Sequence, residues 1–245
     1  MKKPNGYIIY QGPSLLDHKP IVVIALLGSS NSKTGDMIQT YILRSDMDPR
    51  LASKTGQDYS ICGTCPMRGT PTNDPKRKQA KDRPCYVILG QGPTIVYKNF
   101  QAGNYPNATG YRISRLAKDR KVRLGTYGDP GAVPGYIWDR LLILAKGHTG
   151  YSHQASTPGA DYNPDILMYS ADSLEQARQA WAKNYRTFRV VKNIDDLDKD
   201  HEILCPASEE AGRKTTCIDC QLCKGAAIKA KSIVIVAHGN GKNYV

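Results

Sequence analysis

Phenylalanine and tryptophan are nearly absent from this chain of 245 residues, two of each, while tyrosine reaches 15. Tyrosine therefore supplies almost all the aromatic surface, which suits half-buried positions with a wet end, cleft rims, or stacking on bases. Long apolar runs are missing too. The longest, Ile21 to Leu27, is far too short to cross a bilayer. No apolar signal segment precedes Tyr7-Ile8-Ile9-Tyr10, since the chain opens Met1-Lys2-Lys3-Pro4-Asn5-Gly6. The expectation is a soluble cytoplasmic protein without membrane contact, in a compartment where thiols stay free or hold metal. No G-x-x-x-x-G-K-[ST] loop occurs, which removes a P-loop phosphate site. No two of the five histidines lie two residues apart, which removes the metal-binding pair of a rolling-circle nickase.

Acidic residues are the scarcer charge. The net formal charge is +12, and residues 1–120 alone hold 18 Lys and Arg against 8 Asp and Glu. A field of that sign attracts phosphates or nucleic acid, or simply keeps a basic surface soluble. Thr70 to Arg83 carries Pro71, Pro75 and the cluster Lys76-Arg77-Lys78, with Ala80 its one apolar residue. It reads as a solvent-exposed loop.

What the chain does have is seven cysteines in two groups. Cys62, Cys65 and Cys85 form the first; Cys205, Cys217, Cys220 and Cys223 form the second. An odd count without an export signal argues against a disulfide framework. Thiols repeating every third residue in a tight turn can point into one bowl, so all seven are candidate metal ligands. Zinc ribbons pair two separate knuckles, whereas C-x2-C-x2-C with a remote Cys-Pro is closer to ferredoxin ligation. A [4Fe–4S] cluster on Cys205, Cys217, Cys220 and Cys223 is the leading expectation, with Zn the alternative. The front trio holds a second centre with an open position, or shares the first; the spacing leaves both readings open.

Strand-like segments at Tyr7–Tyr10, Ile21–Leu27 and Ile38–Leu43 predict an N-terminal β hairpin or meander over residues 1–60. From residue 85 to 245 strands and helices alternate. Strands are expected at Cys85–Leu89, Val122–Tyr127, His148–Ser152, Ile166–Tyr169, Thr187–Val191, Glu202–Leu204 and Ile233–Ala237. Helices are expected at Ala108–Asp119, Gly135–Lys146 and Ser173–Asn184, the last opened by a capping box of Ser173 and Gln176. The chain thus reads as one α/β domain: a parallel (β/α) barrel or partial barrel, TIM-like, with a C-terminal cysteine-rich loop. An open doubly wound sheet is the rival, disfavoured because no glycine-rich dinucleotide fingerprint follows the first strand.

Ligands of parallel α/β folds bind at the carboxyl ends of strands. There the chain places Asp129, His153, Ser170, Cys205 and His238. Asp129, His153 and His238 are the candidate catalytic residues, to orient a substrate or move protons. Asp129 before Pro130 can equally start a turn, and Asp172 is the likelier cap of the following helix.

The motifs S-I-C-G-T-C-P-M-R-G, P-C-Y-V-I-L-G-Q-G-P, R-L-G-T-Y-G-D-P, T-G-Y-S-H-Q and C-P-A-S-E-E-A-G with T-C-I-D-C-Q-L-C, in this order, resemble a cysteine-rich family of bacteriophages and prophages. The likeness runs from about Tyr7 to His238. It implies a viral protein in the host cytoplasm and a shared site, without a reaction. More remotely, a barrel with a cluster at its mouth is similar to the radical S-adenosylmethionine superfamily, although the hallmark C-x3-C-x2-C is absent. The expected function is an iron–sulfur protein with a redox or cluster-dependent role and a small-molecule or redox partner. The alternative is a zinc-binding protein whose basic N-terminal half binds nucleic acid during phage replication or regulation.

Overall fold

A computed structural model describes residues 4–28, 33–212, 214–239 and 241–245. Asn240, at the end of the last predicted strand, lies outside the described residues. Strands β1 (Gly6–Pro13), β2 (Pro20–Leu26) and β3 (Ile38–Arg44) form the expected antiparallel meander. Strands β4 (Lys121–Tyr127) and β5 (Gly147–Thr149) add to β3 in parallel, giving the order β1-β2-β3-β4-β5. A second sheet contains β6 (Tyr151–Ser152), β7 (Met168–Ala171), β8 (Thr187–Val191), β9 (Glu202–Leu204) and β10 (Ser232–Val236). Its order is β6-β7-β8-β10-β9, parallel throughout.

Only Gly150 separates β5 from β6, so one extended segment serves both sheets. A Cβ there would come within 2.8 Å of Leu167 and 3.0 Å of Leu124, which leaves glycine as the residue that fits. The mixed α/β architecture follows the sequence expectation. Among the described residues no closed TIM-like barrel forms: the strands make two separate sheets, one edged by β1 and β5 and the other by β6 and β9.

Side chains on a strand alternate between faces, and this sorts the interior. On β4, Val122 and Leu124 enter the main apolar core and Arg123 lines a cavity; after Gly125, left-handed at φ 63°, Thr126 and Tyr127 both line the cavity, and Tyr127 also joins the core. On β8 the cavity receives Phe188 and Val190; on β10, Ile233 and Ile235. Seven α-helices complete the fold among the described residues, and two short ones carry cysteines that line the cavity. The seven are α1 (Pro49–Thr55), α2 (Tyr59–Cys62), α3 (Gly92–Gln101), α4 (Tyr111–Leu116), α5 (Gly135–Leu142), α6 (Leu174–Trp181) and α7 (Cys217–Cys220). Val96, Ile113 and Trp138 of α3, α4 and α5 join β2 and β3 in the main core.

Several predicted elements differ. Cys85–Leu89 is not a strand, because Arg83 occupies the carbonyls of Cys85 and Val87 at 3.1 and 2.7 Å. The helix expected from Ala108 begins at Tyr111, since Asn107 bridges β1 and the Ala108 amide donates to Ile8. The helix expected to reach Lys146 stops at Leu142, where the chain turns back to pair Leu144 and Lys146 with residues 119 and 120. The N-terminal region is not all β. Asp48 caps α1, Pro49 takes its first turn, and Gly56 closes it at φ 76°. Ser173 does cap α6, accepting from the Gln176 amide at 3.1 Å, but Gln176 reaches back to the Asp172 amide instead of completing the box.

Candidate functional site

All seven cysteines line a single cavity of about 450 Å³ that both sheets share. All are free thiols. Asp129, His153, Ser170 and His238 line it as well, as the strand-end argument expected.

The front trio rests on a knuckle. The Cys65 amide donates to the Cys62 carbonyl at 3.2 Å, and Gly63 at φ 53° makes the turn. A Cβ at Gly63 would overlap the Gln154 amide. Gln154 clamps the turn from below: its Nε2 donates to the Cys62 carbonyl at 3.0 Å, and its Oε1 accepts from the Thr64 amide at 3.3 Å. The Cys85 amide donates to Met67, which brings the third thiol beside the knuckle. Burial pushes the Cys62 and Cys85 thiols up, with the charges of the neighbouring cysteines adding to it; Arg68 and Arg83 pull the other way.

Asp129 lies at the centre of this wall and is buried. Oδ1 accepts from the Gly131 amide at 2.9 Å and the Ser152 hydroxyl at 2.7 Å. Oδ2 accepts from the His153 amide at 2.8 Å and Gln154 at 3.3 Å. A carboxylate so fully engaged by its own chain fixes His153 and, through Gln154, the Cys62 turn.

The imidazole Nε2 of His153 lies 3.8 Å from the Cys65 sulfur and 3.0 Å from Asp172 Oδ1. Burial works against its cation, but Cys65 and Asp172 outweigh it and hold the ring well above its usual range. Both neighbours meet the same nitrogen, so the three do not form a nucleophile relay, which needs opposite ring nitrogens. Asp172 is not the cap of α6; that role falls to Ser173. His238 Nδ1 donates to the Val236 carbonyl at 3.2 Å, and the ring packs on Tyr86, with ring centres 5.6 Å apart.

The quartet forms the opposite wall. Cys205 follows β9 and its amide donates to Val234 at 2.7 Å. Cys217 and Cys220 bound the single turn α7, and Gln221, left-handed at φ 50°, reverses the chain toward Cys223. The Cys223 carbonyl accepts from the Gly150 amide at 3.0 Å, which ties the loop to the junction of the two sheets. Arg186 holds it from outside, donating to the carbonyls of Leu222 at 2.8 Å and Lys231 at 2.9 and 2.6 Å. Burial pushes the Cys223 thiol up to about 12, against a hydrogen bond from the Tyr151 hydroxyl. Burial also raises Cys205, with Cys217 and Cys220 adding to it and Lys33 opposing. Among the described residues, no three His, Cys, Asp or Glu converge at the contact spacing of a single metal ion.

Sequence reasoning missed Arg123, Tyr127, Thr149 and Tyr151, which face the cavity between the two walls. They sit inside apolar-looking strands, and only the alternation on β4 and β5 could have shown which of them point inward.

No protein family matches this chain, no curated protein is similar to it, and no solved structure resembles it. No helix among the described residues is long and apolar enough to cross a membrane.

Proposed function

We propose that this protein carries a [4Fe–4S] cluster on Cys205, Cys217, Cys220 and Cys223, and that the front trio holds an accessory centre across the same cavity. The observation that carries the reading is the shared cavity: thiols as far apart in sequence as Cys62 and Cys223 line one space. In a four-iron cluster each thiolate binds its own iron, so the four sulfurs need to surround a common volume. They need not close on one point.

The donor set fits such a group. Buried thiols are costly to ionise, and a cationic metal offsets that cost by replacing their protons. Arg186 acts on Cys223 and Cys220, and its positive charge suits an anionic thiolate cluster. The Tyr151 hydroxyl donates to the Cys223 sulfur, a contact of the kind that tunes cluster potential. When bound, the group supplies one-electron chemistry or, with an open iron, a site for substrate. The chain's own residues position and shield: Asp129 and Gln154 fix the front knuckle, and Tyr86 with His238 covers the cavity. His153 beside Cys65 holds a proton at the rim of the front trio. We read the two sheets as a partial barrel wrapped on this cavity, in keeping with the phage-type likeness of the motifs.

Anaerobic purification tests the reading. Brown protein with about four irons and four sulfides per quartet, lost in Cys220→Ser, is expected. Cys65→Ser should leave that signal and remove only the accessory metal. Colourless, zinc-replete protein would favour the zinc alternative and end the iron–sulfur reading.

A further inference from the structure

Three polar groups stand out in the cavity, one of which, Arg123, also acts electrostatically on Cys217 and Cys223. Arg123 is 7% exposed and crosses the floor from β4. Its guanidinium donates to the hydroxyls of Tyr151 at 3.2 Å and Tyr86 at 3.1 Å and lies over the Tyr151 ring, 4.9 Å from its centre. It has no carboxylate partner among the described residues. Thr149 pairs directly with Arg123 across β4 and β5, which puts both side chains on one face. The Thr149 hydroxyl is buried, 2% exposed, and has no hydrogen-bond partner; the Tyr127 hydroxyl, 3% exposed on β4, has none either. Buried polar groups are nearly always partnered, so two orphan hydroxyls and a carboxylate-free guanidinium around one cavity mark a place where a ligand supplies the partners.

We propose that the cavity binds a small organic anion, its charged end on Arg123 and Thr149 and a second polar group at Tyr127. A guanidinium that has given two N–H groups to tyrosines retains three, enough for a two-point contact with a carboxylate or a phosphate. Most of the remaining lining surface is apolar or aromatic, Tyr41, Val87, Phe188, Val190, Leu222 and Ile235 among it, although Asp129, His153 and Asp172 line the cavity too. The ligand therefore has an apolar or aromatic body beside its anionic end. The cavity volume is in the range that holds small molecules. Two sources share this chemistry, carboxylates and phosphate monoesters. Its polar contacts, Arg123, Tyr127 and Thr149, are strand residues, and the site goes beyond the cluster assignment.

Calorimetric titration of the full-length protein with benzoate, phenyl phosphate and neutral benzamide tests it, with iron measured in the same samples. One anion should bind and benzamide should not; which anion binds identifies the source. Arg123→Lys should weaken that anion at least tenfold, and Thr149→Val several-fold. Thr149→Val should also leave Tm unchanged or higher, because the hydroxyl it removes has no partner in the free protein. Failure of both anions, equal binding of benzamide, or unchanged affinity in both variants would overturn the site. Because iron content is read separately, anion binding by iron-poor protein retains this inference while the cluster reading fails.

Discussion

The two sheets are built from different material. The first buries a continuous apolar core, in which Ile21, Val22, Val23, Ile24 and Ala25 of β2 are wholly inaccessible and α3, α4 and α5 close over it. Each fully buried Val or Ile of that kind contributes roughly 1.5–3 kcal/mol, so apolar packing is the main support of this half. The second sheet has a lean core of Met168, Cys205, Ala207, Ile233 and Ile235, with Cys217 and Cys223 packed against it. Its outer face is polar: Arg189 and Glu202 form a buried two-point pair at 2.9 and 2.7 Å, and Trp181 donates to Thr187 and Ser232. The first half adds buried Arg44, Asp58 and Arg123 to its hydrocarbon, the second packs thiols against a small core, and the second is the half that would gain more from the proposed metal.

Removing the proposed metal should break this comparison most visibly. Chelated protein, followed by amide exchange, should lose protection along β7 to β10 by at least roughly tenfold, equivalent to about 1.4 kcal/mol. The β1–β3 meander should keep its protection. Uniform loosening of both halves would mean that the thiols do not set the difference.

Next in size is Glu202→Ala, which strands Arg189 in the interior. We expect a loss of about 3–5 kcal/mol in urea unfolding, with Glu202→Gln costing less. Ile24→Ala, the counterpart in the first sheet, should cost about 2–5 kcal/mol and leave iron content untouched. If it also depletes iron, the halves are more tightly coupled than their cores indicate.

The smallest effect concerns pH. The Arg44 guanidinium, bonded to Asp46 at 2.9 and 2.8 Å, holds the Asp46 carboxyl below its ordinary value of 3.8. A depressed carboxyl contributes stability above its unfolded pKa and loses it as pH falls through the folded one. Asp46→Asn should therefore destabilise by less than about 1 kcal/mol at neutral pH, because Asp46 is largely exposed, and by nothing well below pH 3.8. Salt should shrink the difference.

Much of the fold was legible. The three N-terminal strands, β4, β8 and the cap at Ser173 followed from apolar alternation and a polar N-cap. The failures were local contests that pattern does not report. Residues 85–89 have the composition of a strand, but a buried arginine two residues earlier takes their carbonyls. The helix α1 carries its own signals, Asp48-Pro49 at the start and Gly56 at the end, overlooked within a stretch read as β. Of the site, the cysteines, His153 and His238 could be named from spacing and strand ends. Asp129 could be named but not its task, because the four donors that engage it come from residues 131 and 152–154.

By itself the sequence determined the kinds of chemistry available: soft sulfur donors, a basic front half, strands with buried apolar faces. Composition and short-range periodicity act through neighbours along the chain, and those are the neighbours a linear reading sees. Only the tertiary structure decided that both thiol groups meet at one cavity and that Arg123 and Thr149 stand side by side beneath them. Those relations depend on strand register and on the passage of the chain between the two sheets at Gly150, which are set by packing between segments far apart in the chain.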